Sequence, residues 1–174
     1  MTIISKSLEV PVVIHRSSLN RLEETTKSTT VFTNGCFDLF HAGHVTFLDR
    51  CRSLGDRLIV GLNTDDSVRR LKGPMRPVCT FEERRQVLLG CRYVDDVLGF
   101  DESTPCKLIQ RLRPDVIVKG PGYQIENMPE AFVVKEYGGR VVLLDGPPIS
   151  TTEIIARIFS VSNLRRADIE MVSA

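Results

Sequence analysis

The sequence predicts an α/β domain, a doubly wound sheet of five parallel strands with helices on both faces. Short continuous apolar runs, Leu58-Ile59-Val60-Gly61-Leu62 among them, alternate along the chain with segments of helical periodicity. Such runs suit strands covered on both faces of a parallel sheet. No internal repeat interrupts the alternation, so each strand-helix-strand passage reads as a right-handed crossover. At 174 residues, 42% of them hydrophobic, the chain holds one domain's worth of core, and no second catalytic domain is expected. Residues 1–28 read as an N-terminal extension, 29–160 as the domain and 161–174 as a C-terminal tail.

In the extension, apolar residues 10–14 precede a Ser/Asn/Glu-rich stretch, 17–26, that fits one amphipathic helix starting at Ser17 or Ser18. The first strand, residues 30–33, leads through Asn34-Gly35-Cys36-Phe37-Asp38-Leu39-Phe40-His41-Ala42-Gly43-His44 into a helix over 45–54. Ligands of open α/β sheets bind at such strand-to-helix turns, where the free N–H groups of the helix start attract an anion. Gly35 allows close backbone approach, and Gly43 frees the helix start of a side chain. His41 and His44, three residues apart, share one helical face, so two imidazoles can stand beside one phosphate. A metal pair is the competing reading. Zinc would need more ligands, however, and the only other histidine, His15, lies in a segment with no matching pattern.

Residues 58–63 form the second strand, after which Thr64 caps a short helix through Leu71 with Asp65 and Asp66 in its first turn, where they suit the helix dipole. The cationic run from Arg69 to Pro77 is broken by Gly73 and two prolines, hence a loop, and it overhangs the histidine turn. A triphosphate needs fixed positive charge, which singles out Lys72 and Arg76; Arg69 and Arg70 belong to the surface of the preceding helix. Thr80-Phe81-Glu82-Glu83 is a capping box opening a helix to about Gly90, with Phe81, Val87, Leu88 and Leu89 as its inner face. A strand over 93–100 follows, then a helix capped by Thr104-Pro105, and a buried strand with Lys119 at its carboxyl end. Asn127-Met128-Pro129-Glu130 caps a helix that stops at Gly138-Gly139, and residues 140–144 are the last strand. Ser150 and Glu153 form a further capping box, at a helix start carrying Thr151 and Thr152.

A formal charge of +1, few aromatics and no Trp give no basic, aromatic-lined surface for nucleic acid, so any nucleotide bound is a small one. The five cysteines, at 36, 51, 79, 91 and 106, make no Cys-x-x-Cys pair, and an odd number argues against a secreted disulfide framework. Reduced thiols in the cytoplasm are expected. Cys36 reads as a small residue of the phosphate turn and not as a nucleophile, since no base is adjacent. No apolar run approaches the roughly 20 residues of a membrane span, and no signal-peptide core is present.

The segment Gly35-Cys36-Phe37-Asp38-Leu39-Phe40-His41-Ala42-Gly43-His44 resembles the signature of the cytidylyltransferase-like nucleotidyltransferases, whose hallmark is His-x-Gly-His on a Rossmann-like domain. The resemblance runs from about residue 31 to 158, with Ser150-Thr151-Thr152 as its second landmark. Within the family, Val60-Gly61-Leu62-Asn63, Lys72-Gly73-Pro74, Arg113-Pro114-Asp115 and Tyr137-Gly138-Gly139-Arg140 look like the adenylyltransferases that make ADP-heptose from heptose 1-phosphate. The glycerol-phosphate and choline-phosphate cytidylyltransferases typically carry Arg-Thr before their Ser-Thr motif; here Asp145-Gly146-Pro147-Pro148 has no arginine. One departure is that the heptose branch usually has Lys-Gly-Gly-Asp-Tyr, whereas this chain has Lys119-Gly120-Pro121-Gly122-Tyr123, without the carboxylate.

The resemblance implies that His41 and His44 bind the nucleotide's phosphates and stabilise departing pyrophosphate, with Lys72 as the third catalytic group. It implies nucleotide contacts from Asn34, Gly35, Cys36, Phe37, Gly43, Asn63, Asp65, Arg76, Ile149, Ser150, Thr151 and Thr152. Acceptor contacts would come from Asp38, Lys72, Lys119 and Tyr123, and Arg84 would reach the phosphates. Mg²⁺ would ride on the nucleotide with no protein side chain as ligand, the partners would be ATP and a phosphorylated sugar, and the assembly a homodimer. Phosphates beside the imidazoles would raise both histidine pKa values. Cytidylyl transfer from CTP to a polyol phosphate or phosphonate, and a nucleotide-binding module without turnover, are the alternatives.

Overall fold

The structure is a computed structural model, and it describes residues 28–146 and 150–162. The helix expected over 17–26, the contact expected from Ile149 and the tail from 163 onward lie outside the described residues. Five strands form one sheet: β1 Thr30–Gly35, β2 Arg57–Asn63, β3 Asp96–Phe100, β4 Val116–Lys119 and β5 Arg140–Leu143. Their order is β3-β2-β1-β4-β5, and every pairing is parallel. The helices are α1 Ala42–Arg52, α2 Asp65–Lys72, α3 Phe81–Leu89, α4 Cys106–Leu112, α5 Pro129–Glu136 and α6 Thr151–Ser162. The chain winds outward from β1 to one edge and then returns to β4 and winds to the other, as the sequence predicts. The reversal opens a crevice at the carboxyl ends of β1 and β4.

Alternation along the strands divides the core between the two faces. Val31, Leu58, Val60 and Val118 pack with Leu48 of α1 and Leu88 of α3 on one side. Phe32, Ile59 and Ile117 pack with Ile109 of α4 and Val134 of α5 on the other. Gly61 on β2 makes room for the Phe32 ring of β1, because a Cβ there would meet that ring at 2.6 Å.

Local signals explain three helix starts. The Thr64 side chain accepts from the Ser67 amide at 3.2 Å, the Thr80–Glu83 capping box is complete, and Ser150 and Glu153 exchange hydrogen bonds of 2.8 and 3.3 Å. Two others differ from expectation. Thr104 caps nothing, since Pro105 occupies the N-cap of α4, and Met128 does so for α5 with Pro129 in its first turn. Neither start has a side-chain cap bond, and the Asn127 amide turns back to Gln124 instead. The inner face of α3 is Phe81, Arg84 and Leu88, while Val87 and Leu89 are exposed, because helical spacing from Leu88 reaches Arg84 and not its apolar neighbours. Strand β3 begins at Asp96: Val94 closes a turn onto Cys91, and the Asp95 carboxylate accepts from the Leu58 amide at 2.7 Å.

Candidate active site

The turn after β1 holds an uncommon backbone. Phe37 and Leu39 have φ of 46° and 53°, a left-handed conformation that costs an L-residue about 1 kcal/mol or more unless its surroundings enforce it. Asp38, between them and 1% exposed, supplies the anchor. Its carboxylate accepts from the amides of Val78 and Cys79, at 2.9 and 3.0 Å, and from Arg76 Nε at 2.6 Å. Burial alone pushes the Asp38 carboxyl up, but the two amides and the guanidinium outweigh it and hold its pKa below the ordinary value. Asp38, expected to contact the acceptor or a metal, thus forms a clasp joining the signature turn to the cationic loop.

The chain then enters α1 at His41, whose extended backbone (φ −143°, ψ 171°) caps the helix without a side-chain bond, leaving the first amides available. The rings of His41 and His44 stack, with centroids 3.8 Å apart and planes 23° from parallel. His44 also packs against Phe37 and Phe40, at 5.1 and 5.5 Å between centroids. Neither Nδ1 has a hydrogen-bond partner among the described residues, although both are buried. Burial lowers the pKa of His41, and burial reinforced by the neighbouring His41 pushes His44 down to about 4, against the opposing pull of Asp38. The protein's own groups thus lower both values, and the rise expected from neighbouring phosphate charge would act against that desolvation.

Of the cationic run, Arg69 pairs with Asp66 and Arg70 with Asp101 on the surface, as expected. Arg76 is held by Asp38, and Lys72 has no carboxylate partner among the described residues. Arg84 does not reach toward a ligand. It is 2% exposed and donates to the carbonyls of Cys79, Cys36 and Asn63, at 3.0, 2.7 and 2.9 Å, and to Asp65 Oδ1 at 2.7 Å. Asp65 is consequently occupied too, and neither residue lines the cleft. Asn63 faces the cleft and donates to Ser67 Oγ at 2.9 Å. At the end of β4, Lys119 Nζ donates to Asn34 Oδ1 at 2.7 Å and Glu130 Oε1 at 2.8 Å, and lies 5.0 Å from the centre of the Tyr123 ring. Burial pushes the Cys36 thiol up, which keeps it protonated and suits a carrier of backbone groups better than a nucleophile.

These groups converge on two adjoining clefts. The larger, 590 Å³, is lined by Lys72, Arg76, Asn63, Lys119, Tyr123 and Thr152. The smaller, 370 Å³, is lined by His41, Gly43, Phe47 and Pro121. Asn34, Gly35, Cys36, Phe37, His44, Ser150 and Thr151 belong to both. Thr151 Oγ1 donates to the carbonyl of Asp38 at 2.8 Å, which ties the start of α6 to the signature turn across 113 residues of sequence. Its proton being committed there, the Thr152 hydroxyl and the amides that open α6 remain for an anion. Sequence reasoning missed Glu130 and Phe47. An acid in the first turn of a helix and an aromatic on a helix face are both ordinary, so neither carried a signal.

The crevice at the switch point is walled by a histidine pair, two helix starts and Lys72, which has no carboxylate partner among the described residues, an arrangement suited to an anionic ligand on an α/β domain. The chain belongs to the cytidylyltransferase-like family, whose model matches residues 32–157. It is 51% identical over 138 residues to the bifunctional protein HldE of Syntrophotalea carbinolica, covering 79% of this chain and 28% of that protein. To the bifunctional protein HldE of Methylobacillus flagellatus it is 53% identical over 131 residues, 75% of this chain and 27% of that one. The chain thus spans little more than a quarter of the length of these curated relatives. Among solved structures, the lipopolysaccharide core biosynthesis protein of Thermoplasma volcanium superposes with a TM-score of 0.56 at 25% identity, over 71% of this chain and 99% of that one.

Proposed function

We propose that the chain is a nucleotidyltransferase that moves AMP from ATP to the phosphate of a heptose 1-phosphate, releasing pyrophosphate and an ADP-sugar. The observation that carries this reading is the Thr151–Asp38 hydrogen bond, which brings the start of α6 and the histidine pair to one crevice. Similarity to the HldE proteins, at 51% and 53% identity, supports the adenylyl and heptose assignment.

A phosphate oxygen of the acceptor attacks the α-phosphorus of ATP in line, and the bond from that phosphorus to the β-phosphate bridging oxygen breaks. No covalent enzyme intermediate is needed, so the chain's work is positioning and charge neutralisation. His41 and His44 donate to phosphate oxygens and gain proton affinity as the anion binds. Lys72 and Arg76 neutralise the β- and γ-phosphates, and Thr152 with the α6 amides holds them. Mg²⁺ would be carried by the nucleotide, shielding phosphate charge. The acidic side chains lining the larger cleft, Asp38 and Glu130, are each already paired with a cation, and no group of three His, Cys, Asp or Glu among the described residues is arranged to hold a metal. Free cysteines support a cytoplasmic setting, and the exposed Ile158 and Val161 on α6 support a homodimer.

The test is a grid of ATP and CTP against heptose 1-phosphates and polyol phosphates, scored by product mass, with His44→Ala alongside. ADP-heptose as the main product is expected, with His44→Ala lowering turnover about 10²-fold or more. CTP outcompeting ATP would overturn the adenylyl assignment, and ATP binding without any product would favour a non-catalytic module.

A further inference from the structure

The floor of the larger cleft holds a spent cation. Lys119 and Glu130 are 3% and 6% exposed, line the cleft, and stand 2.8 Å apart as an ion pair. The ammonium has three N–H donors, and Glu130 and Asn34 take two of them, at 2.8 and 2.7 Å. The Glu130 carboxylate accepts from Lys119 alone among the described residues and keeps most of its lone-pair sites open. Burying such a pair contributes little stability compared with an apolar replacement, so its presence at the wall of a ligand cleft calls for a functional reason.

Phosphate recognition is not that reason. An approaching phosphate would find Lys119 already neutralised and the Glu130 carboxylate repelling it. The same cleft offers a better place in Lys72, which has no carboxylate partner among the described residues. A hydroxyl matches the pair instead, because it gives its proton to the carboxylate and accepts the third ammonium N–H. Two neighbouring hydroxyls satisfy both partners at once, with Asn34 Oδ1 holding the ammonium in place. Pro121 and Gly122, the nearby loop residues, bring no carboxylate of their own, and Glu130 supplies one from α5.

We propose that Lys119 and Glu130, braced by Asn34, form a hydroxyl-reading subsite that selects a polyhydroxylated acceptor. The inference deepens the reading of the chain as a sugar-phosphate nucleotidyltransferase and rests on it. It also replaces the expectation that Lys119 touches the acceptor phosphate.

The experiment is titration calorimetry on the full chain with a non-hydrolysable ATP analogue bound. It compares heptose 1-phosphate with ethyl phosphate, which presents the same anion without hydroxyls, in the wild type and in Glu130→Gln. The wild type is expected to prefer the sugar phosphate at least tenfold, and Glu130→Gln to lose most of that preference while binding ethyl phosphate and the ATP analogue within about twofold of wild type. If Glu130→Gln fails to fold by circular dichroism, Glu130→Asp, which keeps the charge but withdraws it by one methylene, is expected to show the same loss of preference. Equal weakening of both acceptors, an unchanged preference, or a wild type that does not discriminate would each overturn the subsite. A wild type that prefers the sugar phosphate but forms no ADP-sugar from ATP would fail the functional reading and leave the subsite standing.

Discussion

His44 carries an ordinary pKa of 6.5 when unfolded and about 4 in the folded chain, because burial beside Phe37 and Phe40 disfavours the imidazolium. Between those values the unfolded chain binds a proton that the folded chain refuses, so this residue costs stability as pH falls from 6.5 toward 4 and costs nothing above 6.5. His44→Gln removes the effect. Urea midpoints at pH 7 and pH 5 should fall further in the wild type than in the variant, and equal falls would show that His44 is not desolvated. The sequence disclosed that His41 and His44 share a face, since that depends only on their spacing. It could not disclose their low proton affinity, which comes from burial and, for His44, from the adjoining His41. The partners of Asp38 were hidden for the same reason, since they belong to a loop some 40 residues onward that closes over the signature turn.

Helix α3 shows where local rules succeed and where they stop. Its capping box is legible because Thr80 and Glu83 satisfy each other within one turn. Its buried face was not, since Glu82-Glu83-Arg84-Arg85 has the look of a solvated surface, and only the tertiary approach of β1 and β2 gives Arg84 its acceptors. The guanidinium joins the ends of both strands and Cys79, the residue before the helix cap. Arg84→Met keeps apolar bulk but leaves two buried strand-end carbonyls and the Asp65 carboxylate without this donor. A loss of about 3 kcal/mol or more is expected from urea unfolding, together with reduced turnover as the turn bearing His41 loosens. A loss under about 1 kcal/mol would mean that solvent reaches those groups and that Arg84 is not the staple described here. The caps expected at Thr104 and Asn127 failed because a suitable residue type at a helix start is permissive only; Pro105 and Pro129 fix those starts without a side-chain bond.

At the scale of the molecule, the alternation of apolar runs was enough to foresee the parallel doubly wound sheet, and the order β3-β2-β1-β4-β5 follows from winding out from β1 in both directions. That order decides which distant segments become neighbours. Residues near 34–44, 63–76, 119–130 and 150–152 meet only because they all follow carboxyl ends of strands or open helices at the same edge of the sheet. A nucleotide occupying the crevice must therefore slow opening in all four segments together, whereas binding at the β3 edge, around Asp101 and Lys107, would protect a different set. At about 100 times its dissociation constant, ATP should add about 2.7 kcal/mol to the folded state. In amide hydrogen exchange the slowed peptides should include the signature turn, the Lys72–Arg76 loop and the start of α6, with β3 and α4 little changed. Because Thr151 is bonded to Asp38, protection should rise in those two places in step, and a ligand that protected the signature turn while leaving the α6 start unchanged would break the claim that one triphosphate spans both.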